Sequence, residues 1–221
     1  MTAPTRLVSA AAGVAMAAAL LGCGAAPPPA GVHGGAVVAM GGINAEPSMR
    51  PWRYPGPSPD GWWCVPPNCY QNLDPSLTID TEMALVHDLG VVDLRLEFPW
   101  YLIEPTRGGY DWSRADEIVA AADAQGVSLD MVLVFSPRWA ASSPSTAPAA
   151  SDYAAFVTAV AQRYHADLLR PQAALEMWNE PDQSHYWTSG ESAYISSVLS
   201  PGYRAAKGVD RRIAVEMGGP L

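Results

Sequence analysis

The chain has 221 residues, three cysteines and a formal charge of −9, with Lys and Arg together numbering only 13. No basic cluster exists anywhere along it to neutralise a run of phosphates, so nucleic acid and other polyanions are disfavoured as partners. Neutral glycans stay open, and eight Trp and nine Tyr suit them, although most aromatic residues in any enzyme are core.

The first segment carries Arg6 ahead of a small and apolar stretch from Leu7 to Leu21, too short to span a membrane comfortably, and reads as an export signal over residues 1–22. Its end, Leu20-Leu21-Gly22-Cys23, resembles the bacterial lipobox. That resemblance implies an acylated Cys23 as the first mature residue, and a protein anchored by lipid on the outer face of the cell membrane. Residues 23–34, rich in Pro, Ala and Gly, form a flexible tether, and the folded part runs from 35 to 221. Export leaves Cys64 and Cys69 as a pair, predicted to be a disulfide worth roughly 2 kcal/mol through its short loop. Two thiols without a nearby His or second Cys pair make a poor zinc site, and no metal or other cofactor is expected.

Strand and helix patterns then alternate. Ala36 to Met40 predicts a first strand leading to Asn44, and 46–72 one long Pro-, Gly- and Trp-rich loop. Asp74-Pro75 opens a helix with Leu77, Met83, Ala84, Leu85 and Leu89 at near-helical spacing, stopped by Gly90. In the strand Val91 to Phe98, Val92, Leu94, Leu96 and Phe98 face one way and Asp93, Arg95 and Glu97 the other. Charged residues on the side away from covering helices need partners, and Arg95 suits holding a carboxylate. A helix over 116–125, a strand over 127–135 and a loop bearing Trp139 follow. Ser151-Asp152 caps a third helix through Tyr164, and 173–178 is the fourth strand. The helix over 194–207 is interrupted by Pro201-Gly202, and 212–217 is the fifth strand. Successive βα units imply a parallel sheet, either doubly wound and open or part of a barrel. No G-x-G-x-x-G or phosphate-loop pattern follows the first strand, so the nucleotide-binding option lacks its signature.

The most informative motif is Trp178-Asn179-Glu180-Pro181, at the exit of the fourth strand. A carboxylic acid beside an aromatic ring and an amide at such an exit suits proton transfer to the leaving oxygen of a sugar. Retaining chemistry needs a second carboxyl group about 5–5.5 Å away. Glu97 and Glu216 are the tempting partners, but interior charge pairing is the stronger reading of both. His87 and His165 fall in helical stretches, whereas His185 follows the motif and lines the cleft in this reading.

Taken together, Arg95-Leu96-Glu97-Phe98-Pro99-Trp100, Ile103-Glu104-Pro105, Gly109-Tyr110-Asp111-Trp112, Pro137-Arg138-Trp139-Ala140, Trp178-Asn179-Glu180-Pro181 and Met217-Gly218-Gly219-Pro220 resemble clan A glycoside hydrolases. The likeness is greatest to family thirty-nine, the β-xylosidase-like group with its exopolysaccharide hydrolases, and next to the cellulase-like family five. It implies a (β/α)8 TIM barrel and a retaining O-glycosyl hydrolase acting on a polysaccharide or oligosaccharide. Glu180 matches the acid/base on strand four, Asn179 the residue that binds the sugar's 2-hydroxyl, and Arg95 the arginine near the nucleophile. Trp139, Trp187 and His185 are candidate substrate contacts. The family's nucleophile lies on strand seven, whereas about five βα units are present, so the expectation is an incomplete barrel, inactive as this chain. The alternative is a non-catalytic remnant or glycan-binding lipoprotein.

Overall fold

The computed structural model describes residues 78–219 and the strand residues Val38–Ala39. Cys23, Asn44, Cys64, Cys69, the export signal, the tether and the proposed helix start at Asp74-Pro75 lie outside the described residues.

The elements are β1 (Val38–Ala39), α1 (Ile79–Asp88), β2 (Asp93–Pro99), α2 (Trp100–Ile103), α3 (Ser113–Ala124), β3 (Ser128–Val134), α4 (Ala150–Arg163), β4 (Ala174–Met177), α5 (Glu191–Tyr194), α6 (Ser200–Val209) and β5 (Ala214–Met217). All strand pairs are parallel, and the sheet order is β1-β2-β3-β4-β5. A doubly wound sheet reverses its strand order at a switch point, whereas barrel strands follow one another without reversal. Five strands in sequential order therefore decide for the barrel arrangement.

Alternation sorts the sheet into two faces. Leu94, Leu96, Phe98, Leu129, Met131, Leu133, Leu175 and Met177 are buried in the apolar cluster shared with the helices. The opposite face carries Asp93, Arg95 and Glu97 from β2, Ser128 and Asp130 from β3, and Glu176 from β4. Trp100 anchors the helix side: it stacks on Phe156 at 5.1 Å and meets Tyr153 and Trp139 edge-on at 5.7 and 5.4 Å. Rings in these offset and T-shaped geometries gain attraction beyond the area they bury.

Three helix expectations change. In α1 Met83 is buried as expected, together with Ile79 and Val86, while Leu85 and Leu89 are exposed, so only part of the predicted apolar set lies on the face that packs. Thr78 caps this helix by accepting from the Thr81 N–H, and Gly90, at φ 75°, turns the chain out of it. Helix α4 begins at Ala150 without a side-chain cap, so Ser151-Asp152 is not its N-cap. Asp152 instead lies in the first turn, where an acid complements the helix dipole, and accepts both prongs of Arg107 at 2.7 and 2.9 Å. Pro201 does not interrupt the sixth helix. The segment Ile195–Leu199 is wound as a π-helix, and Pro201 falls in the first turn of α6 directly after it, where the missing N–H falls on an already altered bonding pattern.

Candidate active site

Strand β4 ends at Met177, and the next three residues make a tight irregular exit. Trp178 and Glu180 both adopt left-handed backbone angles, φ 76° and 37°, which cost non-glycine residues about 1–3 kcal/mol each. Surrounding bonds hold the exit in place. The Trp178 indole N–H donates to the Tyr186 carbonyl at 2.8 Å, and the Tyr194 hydroxyl donates to the Met177 carbonyl at 2.8 Å. The same hydroxyl accepts from the Gly218 N–H at 2.9 Å, which stitches the end of β5 to the end of β4. A Cβ at Gly218 would lie 2.9 Å from the Trp178 carbonyl oxygen, so this approach requires glycine.

Arg95 reaches this exit from the middle of β2. Its Nε and Nη2 donate to the two carboxylate oxygens of Glu176 at 2.5 and 2.6 Å, and Nη2 also donates to Asn179 Oδ1 at 2.7 Å. This arrangement unites three of the residues singled out from the sequence: Arg95, Asn179 and, next in the chain, Glu180. The Glu180 carboxyl is buried, and its Oε2 has no hydrogen-bond partner among the described residues. Burial pushes its pKa above the ordinary glutamate value; Arg95 and His185 oppose that rise, and Asp182 and Glu176 reinforce it. An acid that keeps its proton longer than usual, with one oxygen unengaged, is suited to donate that proton to a ligand.

The other predicted contacts fare differently. Trp187 is only 3% exposed; its N–H donates to the Gly190 carbonyl, and its ring packs edge-on against Trp178 and Tyr194. It offers no free face, so it is a packing residue and not a sugar platform. Trp139 donates to the Glu104 carbonyl at 2.9 Å, and the Arg107 guanidinium sits 4.6 Å from its ring centroid. The cation covers one face of this half-buried indole. His185 is exposed, lies edge-on to Tyr186 at 4.9 Å and is near enough to bias the Glu180 charge. His87 is exposed on α1, and His165 pairs with Asp210 at 2.9 Å, away from this exit. Glu97 is buried close to Arg95, as charge pairing requires. Glu216 does not fit the pairing expectation. It is exposed, stands opposite Glu176 in register, and its charge acts on Asp93 and Asp130, both acids.

Sequence reasoning missed Asp130. Asp130 pairs in register with Arg95, and burial, reinforced by Glu176 and Glu216, pushes its carboxyl up to about 8. Asp93, one layer below, is raised to about 6 by burial and by Glu216. The alternation Ser128-Leu129-Asp130-Met131 was the available signal, because it puts Asp130 on the Arg95 side of the sheet.

Comparison with known proteins agrees with this architecture. Residues 70–149 match the model of a β-galactosidase family, glycoside hydrolase family forty-two. A family thirty-nine β-xylosidase from Caulobacter crescentus superposes with TM-score 0.52 and 21% identity over 64% of this chain and 36% of its own. A family thirty-nine enzyme from Xanthomonas axonopodis pv. citri gives 0.51 and 22% over 64% and 32%. The chain thus spans about a third of the length of these structures. No curated protein sequence matches it. In its sequential parallel sheet and in its family-model match, the chain is similar to the clan A glycoside hydrolases, with the TIM-barrel fold of their family thirty-nine members.

Proposed function

We propose that the chain carries the acid/base side of a retaining O-glycosyl hydrolase site acting on an oligosaccharide or polysaccharide. The observation that carries this reading is the Glu180 carboxyl: buried, raised in pKa, with a free oxygen at the exit of β4, beside an Asn179 amide oriented by Arg95. In the first step Glu180 protonates the glycosidic oxygen as the bond to the anomeric carbon breaks. In the second the resulting carboxylate takes a proton from the water that attacks the glycosyl intermediate. The second carboxyl group, the nucleophile, is supplied from outside the described residues. Glu176 is committed to Arg95, and Glu97 lies in the same charge cluster. The lipobox resemblance extends the proposal to location, with Cys23 holding the enzyme on the outer face of the membrane.

Aryl and oligosaccharide glycosides test the chemistry, using residues 23–221 and a longer chain that includes whatever the downstream reading frame encodes. The longer chain is expected to turn over substrate, and Glu180→Gln to reduce that rate about 10²- to 10⁴-fold for poorly activated leaving groups. Residues 23–221 alone are expected to be inactive. Sugar binding without turnover in both proteins would favour the glycan-binding alternative.

A further inference from the structure

We propose that Glu176 is a positioning residue: its two-pronged ion pair holds the Arg95 guanidinium so that Arg95 fixes the Asn179 amide and does not turn to pair with Glu180. The inference rests on the glycosidase reading for the meaning of Glu180, although its test needs no substrate.

The geometry supplies each link. Glu176 is the last inward-facing residue of β4 before the irregular exit, and it is buried. Arg95 comes from the neighbouring layer of β2 and uses Nε and Nη2, the two donors on one edge of its planar fork, on the two oxygens of Glu176. Such fork-to-fork pairing fixes both distance and plane, which a single hydrogen bond would not. The Gly219 N–H, from the loop after β5, also donates to Glu176 Oε1 at 3.3 Å, so the carboxylate is itself held from two strands.

Asn179 is the next link. A guanidinium can only donate, so the amide atom facing Arg95 at 2.7 Å must be the oxygen, whatever side-chain flip is considered. The amide NH2 group is thereby turned away from Arg95. It is left to donate to a ligand oxygen, and a ligand with a hydroxyl at that place is preferred over one lacking it.

Glu180 is the third link. The charged groups that act on it are Arg95, Asp182, His185 and Glu176. Arg95 is the strongest influence favouring its ionised form, and it is restrained by Glu176. If the pair is broken, the guanidinium loses its two-pronged anchor and can shift one residue further along the exit, drawing Glu180 towards the carboxylate form. Glu176 therefore protects the acid as well as the amide.

The test is a four-protein cycle in the ligand-free full chain: wild type, Glu176→Gln, Arg95→Met and the double variant, with the Glu180 pKa read from the ¹³C shift of its carboxyl group. Glu176→Gln is expected to lower the Glu180 pKa by about one unit when Arg95 is present, and by less than about a third of that in the Arg95→Met background. Equal shifts in the two backgrounds would mean that Glu176 acts only as a nearby negative charge, and would overturn the proposal. The Asn179 side-chain amide gives a second reading that stands even if Arg95→Met fails to fold. Its ¹⁵N order parameter is expected to fall below about 0.6 in Glu176→Gln. An amide as rigid in that variant as in wild type overturns the proposal on its own. Loss of glycoside turnover plays no part in either measurement, so failure here and failure of the glycosidase reading are separable.

Discussion

Replacing Asp130 by Asn is predicted to stabilise the protein, and by an amount that grows with pH. Asp130 is 6% exposed, its Oδ1 has no partner among the described residues, and its neighbour in register, Arg95, is committed to Glu176 and Asn179. Burial first, then Glu176 and Glu216, raise its pKa from 3.8 to about 8. A carboxyl group raised in the folded state binds a proton that the unfolded chain has released. Its contribution is therefore most favourable below pH 3.8 and is lost progressively as pH climbs towards 8. At pH 7 the gap is 7 minus 3.8, or about 3 units, and at 1.36 kcal/mol per unit that is about 4 kcal/mol of lost stability. This is an upper bound, because water entry and small shifts of neighbouring carboxylates relieve part of it. Asn keeps the shape and the neutral state at every pH. Urea unfolding at pH 4.5 and pH 7.5 is the assay: the two proteins should be nearly equal at the lower pH, and the variant more stable by at least about 1–2 kcal/mol at the higher one. A gain equal at both values, or a loss at pH 7.5, would rule this account out, since neither follows from an acid whose proton is held by burial.

Phe156→Ala removes a fully buried ring stacked on Trp100 and should cost about 3–5 kcal/mol in the same unfolding assay. Tyr194→Phe deletes the hydroxyl that donates to the Met177 carbonyl and accepts from Gly218, and should cost about 1–3 kcal/mol by leaving those groups unsatisfied. Export chemistry is checked separately: labelled fatty acid is expected to enter wild type and not Cys23→Ala, and alkylation without reductant is expected to leave Cys64 and Cys69 unmodified.

The strands were legible because two-residue alternation is imposed by backbone geometry and survives any packing detail. Asp93, Arg95 and Glu97 could be assigned to the face away from the helices before any contact was known. The exit motif was legible for a different reason: Trp, Asn, Glu and Pro in succession are rarely needed for packing alone. What failed was whatever depended on the phase or partners of an element. Leu85 and Leu89 look like core in a helical wheel, yet the buried stripe runs through Ile79, Met83 and Val86. Trp139 and Trp187 look like sugar platforms by type and position. Whether an indole face is free is decided by what folds against it, Arg107 in one case and Tyr194 in the other. Asp130 escaped notice because one acid among the apolar residues of a strand gains meaning only when register sets it beside Arg95.

The exit of β4 explains why a motif of consecutive residues can act at one place. Had the strand continued, Trp178 would share the inner face with Glu176, and Asn179 would turn towards the helices, away from Arg95. The left-handed angle at Trp178 breaks that alternation. It sends the indole back among Tyr153 and Trp187 on the helix side, at centroid distances of 6.2 and 5.1 Å, while the Asn179 amide reaches Arg95. The second left-handed residue, Glu180, follows at once, and the Gln183 N–H closes the turn on the Glu180 carbonyl at 2.9 Å. Conformational strain of this kind persists only where the surroundings over-determine it, and here a buried indole, the Tyr194 hydroxyl and the close approach of Gly218 all press on the same three residues. The apolar helix side of the fold thus supplies the free energy that holds a polar pair, Asn179 and Glu180, in register with a cation from β2.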